Sequence, residues 1–329
     1  MRSLGILLFV LLSFSGLSQP SGTLLVVNKA ENNISLIDLS AARIVATIPT
    51  AFGPHEVAVS PSGKWGAVTN YGDAQKISKS ITVIDIAKRK SIKTIDLGNY
   101  QRPHGIEFIN EEEVLITSED KMVLIKVNIE KASVEEIAST SQQGSHMVAW
   151  SPNNPFAYVS NVGSGSVSVI DIENKKLSTV FVFQPGTEGL AITPNGKELW
   201  VANRNDSSVT VVNTSNGEEL AVLPAHQVAF RVKAIPNGEF VVVSNGLSGN
   251  LSIYNAQTRK FLRDIDLVSD KGPQPVPVGI ATEPGSDYLF VCLAGYNEVA
   301  VISTKDWLVK ARITTGKEPD GVYYSKIKL

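Results

Sequence analysis

Hydrophobic and polar positions along this chain recur as a repeated text, not as helical stripes. Four segments align without gaps: Val57–Asn70 (VAVSPSGKWGAVTN), Val148–Asn161 (VAWSPNNPFAYVSN), Leu190–Asn203 (LAITPNGKELWVAN) and Val232–Asn245 (VKAIPNGEFVVVSN). Weaker copies run Ile106–Ser118 and Ile280–Leu293. Runs of alternating β-branched residues occupy Ser35–Leu39, Thr82–Ile86, Val123–Val127, Val167–Ile172, Val209–Thr214, Leu251–Asn255 and Val299–Thr304. Period-2 alternation bounded by turn residues predicts strands. The Pro-Ser-Gly, Pro-Asn-Gly and Pro-Gly-Ser triplets at Pro61, Pro194, Pro236 and Pro284 predict tight turns between the first two strands of a unit. No stretch keeps a helical period, which argues against a βαβ fold.

The residue that ends each second strand falls at Asn28, Asn70, Ser118, Asn161, Asn203, Asn245 and Leu293, in steps of 42, 48, 43, 42, 42 and 48 residues. Seven units of four short strands predict one all-β, seven-bladed β-propeller over residues 22–329. The start supplies three strands only (Thr23–Asn28, Ile34–Leu39, Ile44–Ile48), while Gly321–Ile327 is a first strand without a blade. The carboxy-terminal strand is therefore predicted to complete the amino-terminal blade from the inside, closing the ring and removing two open edges.

Ahead of the repeats, Met1–Arg2 is positive, Leu4 to Leu17 is apolar, and Gly16, Ser18, Gln19 and Pro20 form a small-residue exit. That pattern predicts a secretory signal peptide over residues 1–19, cleaved beside Gln19. The run is short of the roughly 20 residues a membrane-spanning helix needs. The expectation is an exported protein, periplasmic or secreted, with no transmembrane anchor after cleavage and a monomeric state. The single cysteine rules out an internal disulfide framework. With 30 basic and 32 acidic residues, the net charge of −2 argues against nucleic acid as the partner.

The text SPSGKWGAVTN at Ser60–Asn70, VIDI at Val83–Ile86 and SVSVIDI at Ser166–Ile172 resembles the YVTN repeat family of β-propellers, and most of all its exported, bacterial YncE-like branch. The resemblance spans residues 22–329. Similar propellers include archaeal surface-layer proteins, 6-phosphogluconolactonase-type enzymes and the haem d1 domain of cytochrome cd1 nitrite reductase. That breadth implies a fold and leaves the function open.

One constellation rises above the scaffold. The position two places before each inner-strand hydrophobe holds His55, His104, His146, Glu188, Phe230, Val278 and Asp320. Three of the chain's four histidines thus share one register in three consecutive units, at one mouth of the axial channel. His226 is expected on the same face, with Arg102, Arg231 and Glu318 nearby. Three readings stay open: histidines that fix a turn by hydrogen bonding within the blade, a small-molecule or anion site, and a divalent metal or tetrapyrrole site. Resemblance to haem d1 propellers implies histidines placed over a cofactor. The chain has no Cys-x-x-Cys-His, which excludes a covalent c-type haem.

Two function classes follow. One is a non-catalytic propeller presenting its channel mouth and loops to a small ligand or a protein. The other is a metal- or cofactor-dependent enzyme, a lactonase-like hydrolase or a redox protein, built on His55, His104, His146, Glu188 and Asp320. There is no Gly-x-Ser-x-Gly and no His-Glu-x-x-His. Long loops are expected at Tyr71–Ser80 and Val268–Pro277, with Lys76, Lys79 and Arg204 as anion contacts or simply solvated charges. The asparagine-rich turns are read as sugar or peptide contacts or as ordinary turns. Cys292 is expected in the core, and Trp150 and Trp200 between blades.

Overall fold

The computed structural model describes residues 19–329; the predicted signal segment lies outside them but for Gln19. The described chain forms 28 strands, β1 to β28 in chain order, in seven four-stranded antiparallel sheets. The inner strands are β4 (Pro54–Val59), β8 (Pro103–Phe108), β12 (Ser145–Ala149), β16 (Thr187–Ile192), β20 (Ala229–Ala234), β24 (Pro277–Thr282) and β28 (Pro319–Ser325). The predicted closure is present. β28 pairs with β1 (Thr23–Asn28) through Leu25↔Tyr323 and Val26↔Val322, followed outward by β2 (Asn33–Asp38) and β3 (Arg43–Pro49).

The core is an annulus. Each of seven hydrophobic clusters lies between two neighbouring blades. In one of them Ala58, Ile81 and Val83 pack against Ile106, Val114 and Ile125 of the next blade. A blade sandwiched this way buries both faces, so the alternation read from the sequence does not become alternating exposure in the middle strands. β1 and β25 (Tyr288–Leu293) are buried at every position, Cys292 among them. Only the outermost strands face water, and β3 keeps one fully buried anchor, Ile48. Trp200 is wholly buried between blades, as expected. Trp150, just past β12, is half-buried; it packs against the cluster between two blades, as expected, and also lines a cavity at the far end of the channel.

The recurring asparagines are clips, not a sugar-binding rim. Asn28, Asn70, Asn161, Asn203 and Asn245 are buried, and each side-chain amide donates across the hairpin to two side-chain oxygens, five and seven residues on except at Asn70, whose longer hairpin puts them ten and twelve residues on. Asn161 donates to Ser166 Oγ at 3.1 Å and Ser168 Oγ at 3.0 Å. A buried amide with both bonds made ties the second strand to the third. The expected Tyr71–Ser80 loop is largely strand as well. β5 (Trp65–Gly72) and β6 (Ile77–Asp85) extend their hairpin to the pair Gly72↔Ile77. Lys79 lies 3.6 Å from Asp96 and Lys76 sits over the Phe52 ring, so both have partners in the rest of their own blade.

Candidate functional site

Each inner strand begins with a left-handed residue that turns the chain into the channel: Gly53, Arg102, Gly144, Gly186, Val228, Val276 and Glu318, with φ from 49° to 94°. Two residues later stands His55, His104, His146, Glu188, Phe230, Val278 or Asp320, the ring predicted from the repeat. The ladder to the second strand breaks at this point in β4, β8, β12, β16, β20 and β24. The bulge frees the ring residue's carbonyl from its own blade. Hydroxyls of the preceding blade take it up: Thr69 donates to His104 O at 2.9 Å, Thr117 to His146 O at 2.6 Å, Ser160 to Glu188 O at 2.6 Å and Ser244 to Val278 O at 2.8 Å. Thr117→Val keeps the shape and leaves that carbonyl without its donor. It is expected to lower unfolding stability by about 1–2 kcal/mol, measured by urea denaturation.

The next residue is glycine in four blades because adjacent inner strands nearly touch. A Cβ on Gly105, Gly189, Gly279 or Gly321 would stand 2.2–2.7 Å from backbone oxygen of the neighbouring strand. The other three blades carry Glu56, Met147 and Arg231 there. Arg231 Nη2 donates to Glu56 Oε1 at 2.5 Å and Arg231 Nη1 to Glu188 Oε1 at 3.3 Å. This bar links three blades across the axis, and Arg231 lines both a cavity of about 490 Å³ at the histidine mouth and one of about 380 Å³ at the other end.

At the histidine mouth the three imidazoles form a stack, with centroids 4.2 Å apart for His55 and His104 and 3.7 Å for His104 and His146. Tyr71 meets His55 and His104 edge-on, 5.4 Å from each. His55 Nδ1 lies 3.1 Å from Asp320 Oδ2, and Lys29 Nζ donates to His55 Nε2 at 2.9 Å. His146 is held at both ends, Nε2 2.8 Å from Glu188 Oε1 and Nδ1 3.5 Å from Glu119 Oε1. Tyr71 donates to Glu119, and Arg204 Nη1 donates to Glu188 Oε2 at 2.9 Å.

The surroundings give these groups different charges. Burial works against a protonated His146, but Glu188 and Glu119 outweigh it and lift its pKa to about 9. His104, wholly buried beside His146 and His55, is pushed well below the usual histidine range and stays neutral. Burial raises Glu188 and Glu56, yet His146, Arg231 and Arg204 around the first, and Arg231 and His55 around the second, bring both down to about 2. Burial and Glu119 push the Tyr71 phenol upward.

These shifts set a pH profile. A raised His146 pKa stabilises the fold fully below its ordinary value of 6.5 and ceases to do so as pH rises through about 9. The lowered Glu56 and Glu188 values stabilise fully above 4.5 and lose that effect as pH falls toward about 2. His104, held neutral, acts in the opposite sense: its lowered value costs stability as pH falls below 6.5. A melting-temperature scan is therefore expected to peak near 6.5 and to fall on both sides. His146→Gln is expected to flatten the alkaline limb.

All five predicted residues converge on this cavity: His55, His104, His146, Glu188 and Asp320 line it. His226 does not join them. It is more than one-third exposed and pairs with Asp264 at 2.8 Å. Arg102 stacks over Tyr71 and lies 3.5 Å from Asp120. Lys29, Glu56, Tyr71 and Glu119 escaped the sequence reading, though their signal is the same repeat. The residue after each strand-end position is Lys29, Tyr71, Glu119, Val162, Arg204, Gly246 or Ala294, and four of these seven contact or line the histidine mouth with charged or phenolic groups. The opposite wall is apolar, made by Phe230, Val276, Val278, Ala294 and Pro319.

Comparison with solved structures finds the same fold at low identity. A functionally unknown protein from Desulfotomaculum acetoxidans DSM 771 superposes with a TM-score of 0.76 at 14% identity, covering 93% of this chain and 99% of the other. Dihydro-haem d1 dehydrogenase NirN in complex with DHE superposes with a TM-score of 0.64 at 14% identity, covering 93% of this chain and 75% of the other. No curated protein matches the sequence significantly. The profile described as "Lactonase, 7-bladed beta-propeller" matches residues 18–280. The chain belongs to the lactonase, seven-bladed β-propeller family.

Proposed function

We propose that this chain is an exported, YncE-like binding propeller whose histidine mouth takes a small molecule with one carboxylate and an apolar body. One observation carries the reading: the cavity of about 490 Å³ has an ionic wall and an apolar wall, with the part-exposed cations Lys29 and Arg204 on the ionic side. A concave site with a charged wall facing an apolar one suits an amphipathic ligand. The buried carboxylates Glu56 and Glu188 are tied to Arg231, and His146 is already an imidazolium between two carboxylates. Those groups favour holding charge over moving protons at neutral pH. Calorimetric titration with benzoate, phenylacetate and octanoate tests the proposal. At least one is expected to bind one per chain, and Arg204→Ala to weaken it about tenfold. No binding, or binding indifferent to Arg204, overturns it.

A second reading, lactone hydrolysis, draws on the family and on one contact. Asp320 stands 3.1 Å from His55 Nδ1, a placement that orients an imidazole as general base toward water. Its test is hydrolysis of glucono-δ-lactone above the spontaneous rate, abolished by His55→Ala. An unchanged rate retires the hydrolase.

A further inference from the structure

We infer that His55, His104 and Glu56, with Asp320 beside them, form a site for one divalent first-row transition-metal ion at the floor of the histidine mouth. The inference rests on the preceding reading of this mouth as the binding site and names what would sit beneath the ligand. Ligand atoms of His55, Glu56 and His104 lie within 4.8 Å of one another. Bonds of about 2.0–2.2 Å to a shared ion place its ligand atoms about 3.4–3.7 Å apart, so the three need to close by up to about 1.4 Å.

The second observation is a buried ring nitrogen without a hydrogen-bond partner: Nδ1 of His104, which is 1% exposed. Buried polar atoms of native proteins nearly always find a partner, so this open nitrogen, with Oδ1 of Asp320 likewise open, points to a group that bonds there. His146 has its Nε2 on Glu188 and faces Glu119, so it serves as a fixed cation and not as a ligand.

Imidazole with carboxylate suits Zn²⁺, Cu²⁺ or Ni²⁺ and does not suit Mg²⁺ or Ca²⁺. Lys29 donates to Nε2 of His55, which leaves the ring proton on Nδ1. Metal binding at Nδ1 takes the other neutral tautomer: the ring proton moves to Nε2, the bond from Lys29 is given up, and the Nδ1 lone pair goes to the ion with no net proton lost. Four carboxylates already face four cations at this mouth: Glu56, Glu188, Glu119 and Asp320 against Lys29, His146, Arg204 and Arg231. The ion adds uncompensated positive charge, and a carboxylate ligand would supply the balance at its open coordination position.

The test uses the chelator-treated mature chain, titrated with Zn²⁺ by calorimetry. One Zn²⁺ per chain is expected, and no Mg²⁺ uptake. His55→Gln and His104→Gln should each weaken binding at least 100-fold, while His226→Gln leaves it unchanged. Absence of uptake by the folded chain, or uptake indifferent to His104→Gln, overturns the site. Should His104→Gln fail to fold, Co²⁺ absorption of the wild type decides: intense four-coordinate bands support the site, and weak six-coordinate bands overturn it. A parallel titration of the metal-free chain with phenylacetate separates the two readings. Phenylacetate binding without Zn²⁺ uptake overturns the ion alone. Zn²⁺ uptake without phenylacetate binding keeps the ion and overturns the small-carboxylate reading.

Discussion

Deleting residues 319–329 is expected to abolish cooperative unfolding of the whole ring, not merely to fray one end. β28 is the innermost strand of the closing blade, and it pairs with β1 from Thr23↔Ser325 to Asn28↔Pro319. Its side chains reach three other places. Val322 packs into the cluster with Phe290 and Cys292, Tyr323 donates to Glu107 at 3.2 Å, and Ser325 Oγ donates to Gly63 O at 2.7 Å. Removing them strips apolar burial from interfaces on both sides, at about 25 cal/mol per Å², and exposes the full edge of β1. The loss should exceed about 5 kcal/mol, a large part of the 5–15 kcal/mol that holds a typical domain. Calorimetry is expected to show no cooperative transition and a tendency to aggregate. An unchanged melting temperature would mean that the ring does not depend on this strand.

The second large effect is expected at Arg231. Arg231→Met leaves Glu56 and Glu188 buried, and Glu56 then keeps only the 3.8 Å approach of His55. Breaking a buried ion pair from one side is destabilising by about 3–5 kcal/mol, because a charge is left without its partner. Adding Glu56→Gln should recover part of that loss, since an amide is less demanding than an unpaired carboxylate. Urea unfolding of the two singles and the double variant measures the coupling. A loss under about 1 kcal/mol for Arg231→Met, or no recovery in the double, would contradict a bar that bears on stability.

The repeat made the architecture legible because a propeller writes its geometry into spacing. A 42-residue period places His55, His104, His146, Glu188 and Asp320 in one register, and one register is one place around an axis. What the spacing did not carry was direction across the channel. Glu56 and Arg231 are 175 residues apart and meet only because the ring closes. Their position is glycine in four other blades, where backbone contact forbids a side chain. His226 misled for the opposite reason. It lies four residues before Phe230 in the connecting segment, but the turn at Val228 sends β20 inward and leaves His226 outside, against Asp264. The asparagines misled by composition. Asn favours turns in general, whereas here side-chain oxygens of the following strand make each one an internal clip.

The chain carries four histidines, three at the mouth and one outside it, so ¹⁵N-imidazole NMR reads the site with an internal control. The measurement is a titration of the metal-free protein with phenylacetate, following all four ring signals. The account predicts that His55, His104 and His146 shift together along one binding curve while His226 stays still. Four signals that do not move, or four that move alike, would contradict a ligand site at the histidine mouth.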